Sequence, residues 1–285
     1  MAFDTFDVRL QTIARKALSF CRSEFGSRGL KTEKEIAPEI SWTPSFFFKS
    51  ARYRIVAVEV ADILYTEALK IAAFSILQFH GSPISVYQVC SLQTYQSDPK
   101  QAKIAQLLKH GFGIITVDED GNVRVQRRCV PLSQHISEED LKAELAGLNP
   151  ELRVKFKEAH ATYLSNEGQG LQQAGQIVEG MISSIATQAA SRNVISNAQA
   201  TGDLADRIDA LYATSAFQNY RAALGGARKF VKEFRNIASH APRSALEAAE
   251  KIKKCKTGFL EGISIATKLR IAAKALGYTV RVHTT

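Results

Sequence analysis

Residues 171–193 read LQQAGQIVEGMISSIATQAASRN, with Ile177, Met181, Ile185 and Ala189 four residues apart. That interval returns side chains to one face of an α-helix, so the segment predicts a long helix with an apolar stripe. The same texture persists downstream. Asp203 is a helix start, with Leu204, Ile208, Leu211, Tyr212 and Ser215 on one face. Gly225-Gly226 allows a break, and a helix over Ala227–His240 follows, stopped by Pro242. Two further helices, Ser244–Lys256 and Ile263–Leu276, complete an all-α bundle.

Upstream the texture changes. Asp7–Phe25 carries Val8, Ile13, Ala17 and Phe20 near helical spacing. Trp42–Phe48, Arg52–Val60, Ile84–Cys90 and Ile114–Val117 are short and rich in aromatic or β-branched residues, as strands are. Glu67–Phe79 predicts a helix ended by His80-Gly81, and Asp98-Pro99 opens another that runs to His110 and stops at Gly111. Asp118–Asn122 is a turn that pairs Ile114–Val117 with Val123–Val125 as a hairpin. Strands interleaved with helices imply a small α/β sandwich. The expected fold is therefore α+β in two domains, a sandwich over residues 1–145 and a helical bundle over 150–285. Asp140–Pro150 marks the boundary, with Asn149-Pro150 as a turn.

The 285 residues are 45% hydrophobic and 23% charged, which excludes a mainly disordered chain. Seventeen Gly and seven Pro exclude collagen-like and low-complexity classes. The apolar stretches Arg54–Leu64 and Ala68–Leu77 are too short for a bilayer and contain Glu59, Asp62 and Lys70. The acidic start, Met-Ala-Phe-Asp-Thr-Phe-Asp, lacks the basic and apolar regions of a secretory signal. Cys21, Cys90, Cys129 and Cys255 lie far apart, as buried reduced thiols of a cytoplasmic protein would. The net charge is +9, and it is uneven. Residues 1–150 hold 18 basic and 17 acidic side chains, whereas residues 151–285 hold 19 and 11. Such a concentration suits a polyanionic partner bound through phosphate contacts, and it equally suits a solvated helical face.

Within the basic half, Phe234-Arg235-Asn236-Ile237-Ala238-Ser239-His240 carries the chemistry. Ala227, Phe230, Phe234, Ile237 and Ala241 form an apolar stripe, with Arg228, Lys232, Arg235 and Ser239 on the stripe beside it. Asn236 and His240 are four apart and stack on one side of a helix. His240 would occupy the last turn, where the helix dipole favours imidazolium. A guanidinium that holds phosphate and an oriented imidazole that moves protons are what phosphodiester cleavage without metal requires.

Arg235-Asn236-x-x-x-His240 resembles the R-(polar)-x-x-x-H signature of HEPN-domain ribonucleases, over about residues 155–275. The resemblance implies a four- to five-helix bundle and a cytoplasmic endoribonuclease without cofactor or metal. Toxin-like or antiviral-defence cleavage of tRNA or mRNA would follow, with two motifs facing each other across a homodimer. Arg235 and His240 become the catalytic pair and Asn236 the orienting residue. Arg228, Lys232, Ser239, Arg243, Lys253 and Lys254 become RNA contacts. Some HEPN-like bundles only bind RNA or nucleotides, and an exposed helix end with a polar cap would leave the same residues, so a non-catalytic regulatory module is the alternative.

The first half resembles, more distantly, the restriction-endonuclease-like fold, whose central strand carries Glu-x-Lys for Mg²⁺. Here Glu59-Val60-Ala61 has alanine at the lysine position, so a sensor, regulator or scaffold is expected there, bound to a partner or ligand. Glu59 and Asp62 then read as strand-end and helix-cap residues. His80 and His110 read as helix C-terminal caps, and His135, His160 and His283 lack companions at metal-ligand spacing. Gly168-Gln169-Gly170 follows no strand, which removes a phosphate-loop reading. Lys251–Lys256 fits an RNA groove or a solvated helix face.

Overall fold

The computed structural model describes residues 3–40, 42–49, 55–64, 83–98, 101–235 and 245–280. Two compact units emerge, Met1–Glu138 with Pro242–Lys253, and Glu139–Ala241 with Lys254–Thr285. The first holds a six-stranded mixed sheet and the second is helical.

The first unit opens with α1, Val8–Phe25, whose Asp7 carboxylate accepts the Leu10 amide at 2.8 Å as an N-cap. The strands are β1 (Lys31–Thr32), β2 (Phe46–Lys49), β3 (Ile55–Val60), β4 (Ile84–Ser91), β5 (Gly113–Val117) and β6 (Val123–Arg127), neighbours in that order. The pairs β3/β4 and β4/β5 are parallel and the others antiparallel. Every residue of β4 is buried, as the central strand of a parallel trio requires. One face packs Val56, Val58, Tyr87, Val89 and Ile115 against Ala14, Ala17 and Cys21 of α1. The other packs Ile55, Ala57, Val86 and Ile114 against Ile40, Trp42, Leu132, and Ile104 and Leu107 of a helix at Ala102–Lys109.

Strand β2 is shorter than Trp42–Phe48 suggests. It begins at Phe46, because Pro44 has no amide to donate, and Trp42 fills the core from a turn. The helix expected from Asp98-Pro99 to His110 is observed as Ala102–Lys109, with Gln101 at its N-cap, while Asp98 accepts the amides of Lys103 and Ile104 inside the first turn. The expected helix at Glu67–Phe79 lies outside the described residues, as does His80.

In the second unit Asn149 and Pro150 start a helix instead of making a turn: the Asn149 side chain accepts the Leu152 amide and Pro150 takes the first helical position. Helix α2 spans Pro150–Ser165 and α3 spans Glu167–Ser191, joined through Asn166 alone. Ile177, Met181, Ile185 and Ala189 are all buried along α3. Helix α4 covers Leu204–Ala213 behind its Asp203 cap. Ile208 and Leu211 are buried there, but Tyr212 is exposed, its ring 5.2 Å from the Arg221 guanidinium. Ser215 is exposed too, since the helix has ended by then.

Helix α5, Arg221–Phe230, runs through Gly225-Gly226 without a break. Burial of Ala223, Leu224, Ala227 and Phe230 outweighs the roughly 1 kcal/mol that each glycine costs a helix. Likewise the two expected C-terminal helices are one, α6, Ala245–Ala275. Ile252, Cys255, Phe259, Ile263, Ala266 and Leu269 form a buried seam that carries the helix past Gly258 and Gly262. Arg192 closes its far end, donating to the Leu276 and Gly277 carbonyls and lying over the Tyr278 ring. Among the described residues no helix is long and apolar enough to cross a membrane.

Gly170 brings α2 and α3 together. A Cβ there would collide with the backbone and Cβ of Tyr163, which a side-chain rotation cannot relieve. Gly170→Ala is expected to lower stability by about 1–3 kcal/mol, the usual cost of overpacking, measured as a lower urea midpoint.

Candidate functional site

The chain reaches the Arg235–His240 segment through an unusual turn. After α5, residues Val231–Arg235 form a π-helical turn, with bonds closing over five residues instead of four. Each residue then advances through less than the roughly 100° of an α-helix. Position 235 therefore leaves the line through Arg228 and Lys232, and the expected cationic stripe does not continue in α-helical register. Such turns are rare and frequent at functional sites, and the residue types of Val-Lys-Glu-Phe-Arg do not announce one.

The apolar side of this segment is as expected: Ala227, Phe230 and Phe234 are buried. The rings of Phe230 and Phe234 lie 5.5 Å apart between centroids. Asn236, Ser239, His240 and Arg243 lie outside the described residues, with Ile237 and Ala241, so the apposition of Arg235 with His240 remains a sequence-based expectation.

The described cations among the expected RNA contacts fall into two groups. Arg228 reaches Asp209 of α4 at 3.0 Å, with 62% of its side chain exposed. An exposed ion pair of this kind is worth about 0–1 kcal/mol, so the guanidinium can be recruited by a phosphate at small cost. Lys232, Lys253 and Lys254 are exposed. On α6, Ile252 and Cys255 are buried on either side of Lys253-Lys254, which fixes the two ammonium groups to the solvent side.

The other histidines have structural surroundings. His160 is buried and stacks on Tyr163, with Phe259 6.0 Å away. His135 places Nε2 3.0 Å from the Lys109 carbonyl. His110 caps its helix, and burial followed by the Lys109 charge pulls its pKa below the usual imidazole value. His283 lies outside the described residues. All four cysteines are buried and none is in a disulfide. Burial, with Cys129 and Glu24 adding to it, pushes the Cys21 thiol up to about 12; burial, and then Asp62, does the same to Cys90. Both are inert thiols at neutral pH.

In the sheet, Glu59 of β3 stands in register with Gln88 of β4. Gln88 is fully buried; its amide nitrogen donates to the Val89 and Ala61 carbonyls, and its Oε1 has no donor. Sequence reading missed this residue, although a lone glutamine inside the apolar strand Ile84–Ser91 was a visible signal. Asp62, expected as a helix cap, instead joins a side-chain network at the strand ends. Its Oδ1 accepts from Thr94 Oγ1 at 2.6 Å and Ser91 Oγ at 2.7 Å, and its Oδ2 faces Arg9 at 3.3 Å. The carboxylate thereby ties the end of β3 to the end of β4. An open groove of about 770 Å³ beside β1 is lined by Lys31, Lys34, Glu33 and Glu35 among others. No family model, curated protein or solved structure matches this chain.

Burial opposes ionisation of Asp62, but the Thr94 and Ser91 hydrogen bonds and the Arg9 charge outweigh it and hold the carboxyl below its usual 3.8. A depressed folded pKa stabilises the protein above the unfolded value and ceases to do so as pH falls through the folded one. Asp62→Asn is therefore expected to unfold at lower denaturant than the wild type at pH 7. That gap should narrow below about pH 3.8, followed by urea titrations across the acid range.

Proposed function

We propose that the chain is a metal-independent endoribonuclease acting on tRNA or mRNA, of the HEPN kind, in a toxin-like or antiviral role. The observation that carries this is the Arg235-Asn236-x-x-x-His240 spacing in the helical half of the chain, residues 151–285, which holds 19 basic against 11 acidic side chains. The π turn that delivers the chain to Arg235 is further support.

In the proposed reaction the 2′-hydroxyl oxygen attacks the adjacent phosphorus. A P–O2′ bond forms and the P–O5′ bond breaks, leaving a 2′,3′-cyclic phosphate and a 5′-hydroxyl. The proton lost by the 2′-oxygen and the proton gained by the 5′-oxygen pass through imidazole, the role of His240. Negative charge grows on the non-bridging oxygens, and the Arg235 guanidinium offsets it with directional hydrogen bonds. Asn236, one helical turn before His240, holds the ring in a productive orientation. A homodimer would place two imidazoles at one RNA groove, so that one accepts a proton while the other donates. Arg228, Lys232, Ser239, Arg243, Lys253 and Lys254 would grip the phosphates on either side. The sheet-bearing unit would restrain or trigger cleavage.

The exposed Lys253-Lys254 pair also suits a module that binds RNA without cutting it. The two functions separate cleanly. A nuclease cleaves labelled RNA in EDTA and leaves 2′,3′-cyclic ends, and His240→Ala loses about 10²–10⁴-fold in rate while retaining RNA affinity. Arg235→Ala is expected to lose about 10²–10³-fold. Salt-sensitive RNA binding with no product at any enzyme concentration would assign the chain to the binding class.

A further inference from the structure

From Gly262 to Thr285 the chain carries Lys268, Arg270, Lys274 and Arg281 and no aspartate or glutamate. Arg270 stands apart among them, because its stem starts on the core side of α6. Ala266 and Ala273, one helical turn before and after it, are both fully buried. The Arg270 Nε is buried without a hydrogen-bond partner, and no acceptor among the described residues meets the rest of the guanidinium. The side chain as a whole is half-buried, so its two terminal nitrogens are what reach the surface. Every other arginine of the second unit with a described side chain meets an oxygen. Arg153, Arg192 and Arg221 donate to carbonyls, Arg207 to Ser183 and Arg228 to Asp209. A half-buried cation without a partner costs stability. The helix dipole favours cations in the last turn of α6, which accounts for Lys274, but Arg270 comes before that turn.

Two further cations stand at the same end of α6. Lys274 is exposed and four residues on from Arg270, so the two share a side of the helix. Thr267, three residues before Arg270, touches the turn that leads into α2: a Cβ on Gly147 would lie 2.7 Å from Thr267 Cγ2. Arg153 of α2 holds that turn, with Nε 2.8 Å from the Leu148 carbonyl and Nη2 2.7 Å from the Ala146 carbonyl. Both acceptors are neutral, so the Arg153 charge stays uncompensated. Glu144 and Glu151 flank the turn in sequence, yet among the described residues neither pairs with Arg153, Arg270 or Lys274.

We propose that Arg270, with Lys274 and Arg153 at the same end of α6, binds a backbone phosphate of RNA. That the phosphodiester belongs to RNA rests on the endoribonuclease reading above; the anion site itself does not. A guanidinium whose Nε is sealed inside presents its two terminal N–H groups end-on, a planar fork that matches two non-bridging phosphate oxygens. Anionic membrane surfaces are held by clusters of about four to eight cations, and three suit one or two phosphates. Phe234, the residue before Arg235, seats against Gly258. Gly258 is twelve residues before Arg270, about 18 Å along the helix. The bound RNA would therefore extend well past the Arg235 end of the unit.

The test measures binding of a fluorescein-labelled 2′-O-methyl oligouridylate, which keeps the phosphodiester backbone and lacks the hydroxyl needed for cleavage. The full chain is titrated over a range of salt as wild type, Arg270→Gln, Arg270→Lys, Lys274→Gln and the charge control Lys103→Gln, an exposed lysine of the sheet-bearing unit. Arg270→Gln is expected to bind about tenfold more weakly and to make the slope of log affinity against log salt shallower by about 0.7. Arg270→Lys keeps the charge and loses the fork, so the slope should hold while affinity falls about threefold. Lys274→Gln should also flatten the slope, which keeps the site testable if Arg270→Gln fails to fold. Lys103→Gln should match the wild type. The urea midpoint of Arg270→Gln should equal or exceed that of the wild type, since an unpartnered cation is removed. A lowered midpoint with unchanged binding would make Arg270 a structural residue and overturn the proposal. Unchanged affinity and slope in the Arg270 and Lys274 variants, or an equal loss from Lys103→Gln, also overturns it and leaves the nuclease reading standing. Arg270-dependent binding in a protein that cuts no RNA upholds the site and rejects the nuclease. A wild type that ignores the oligonucleotide, whether or not it binds phosphatidylserine vesicles, rejects both.

Discussion

The Phe234 ring over the bare backbone of Gly258 is the contact that fixes how closely the π turn approaches α6. A glycine costs a helix about 1 kcal/mol, and α6 carries two of them four residues apart. What offsets that cost is close approach: two aromatic rings from α5 and the π turn reach a helix surface that any Cβ would block. Tight packing of this kind has few alternative arrangements, because protein interiors accommodate volume changes poorly. The irregular backbone at Val231–Arg235 is therefore held by a regular element, the long helix opposite it.

The first unit follows a different logic. Its sheet is covered on both faces, and β4 in the middle meets apolar neighbours on each. Among the polar groups that interrupt that pattern are Asp62, two residues past the end of β3, and Gln88, within β4. Asp62 is fully engaged, pinning the strand ends together through Ser91, Thr94 and Arg9. Gln88 is half engaged, its nitrogen bonded and its oxygen not.

Much of the architecture was legible from residue spacing. The four-residue rhythm from Ile177 to Ala189 became a buried helix stripe, and Asp7 and Asp203 proved to be helix-starting side chains. Local interactions decide such features, so local patterns reveal them. Errors came where tertiary packing overrode propensity. Gly225-Gly226 allowed a break, and Ser244–Lys256 and Ile263–Leu276 read as separate helices, yet continuous buried seams carry α5 and α6 through both places. Tyr212 was expected on one face with Ile208 and Leu211, but its helix ends one residue later and Arg221 lies over its exposed ring.

Taken alone, the sequence determined the division into a strand-bearing half and a helical half, the siting of positive charge in the latter, and the Arg235-Asn236-x-x-x-His240 spacing. All three depend on composition and periodicity along the chain. Only the tertiary structure decided the order and direction of the strands, the unbroken course of α6, and the π turn that changes the register before Arg235. Those depend on which surfaces meet across distances of tens of residues, as Phe234 meets Gly258, and no local pattern encodes such a meeting.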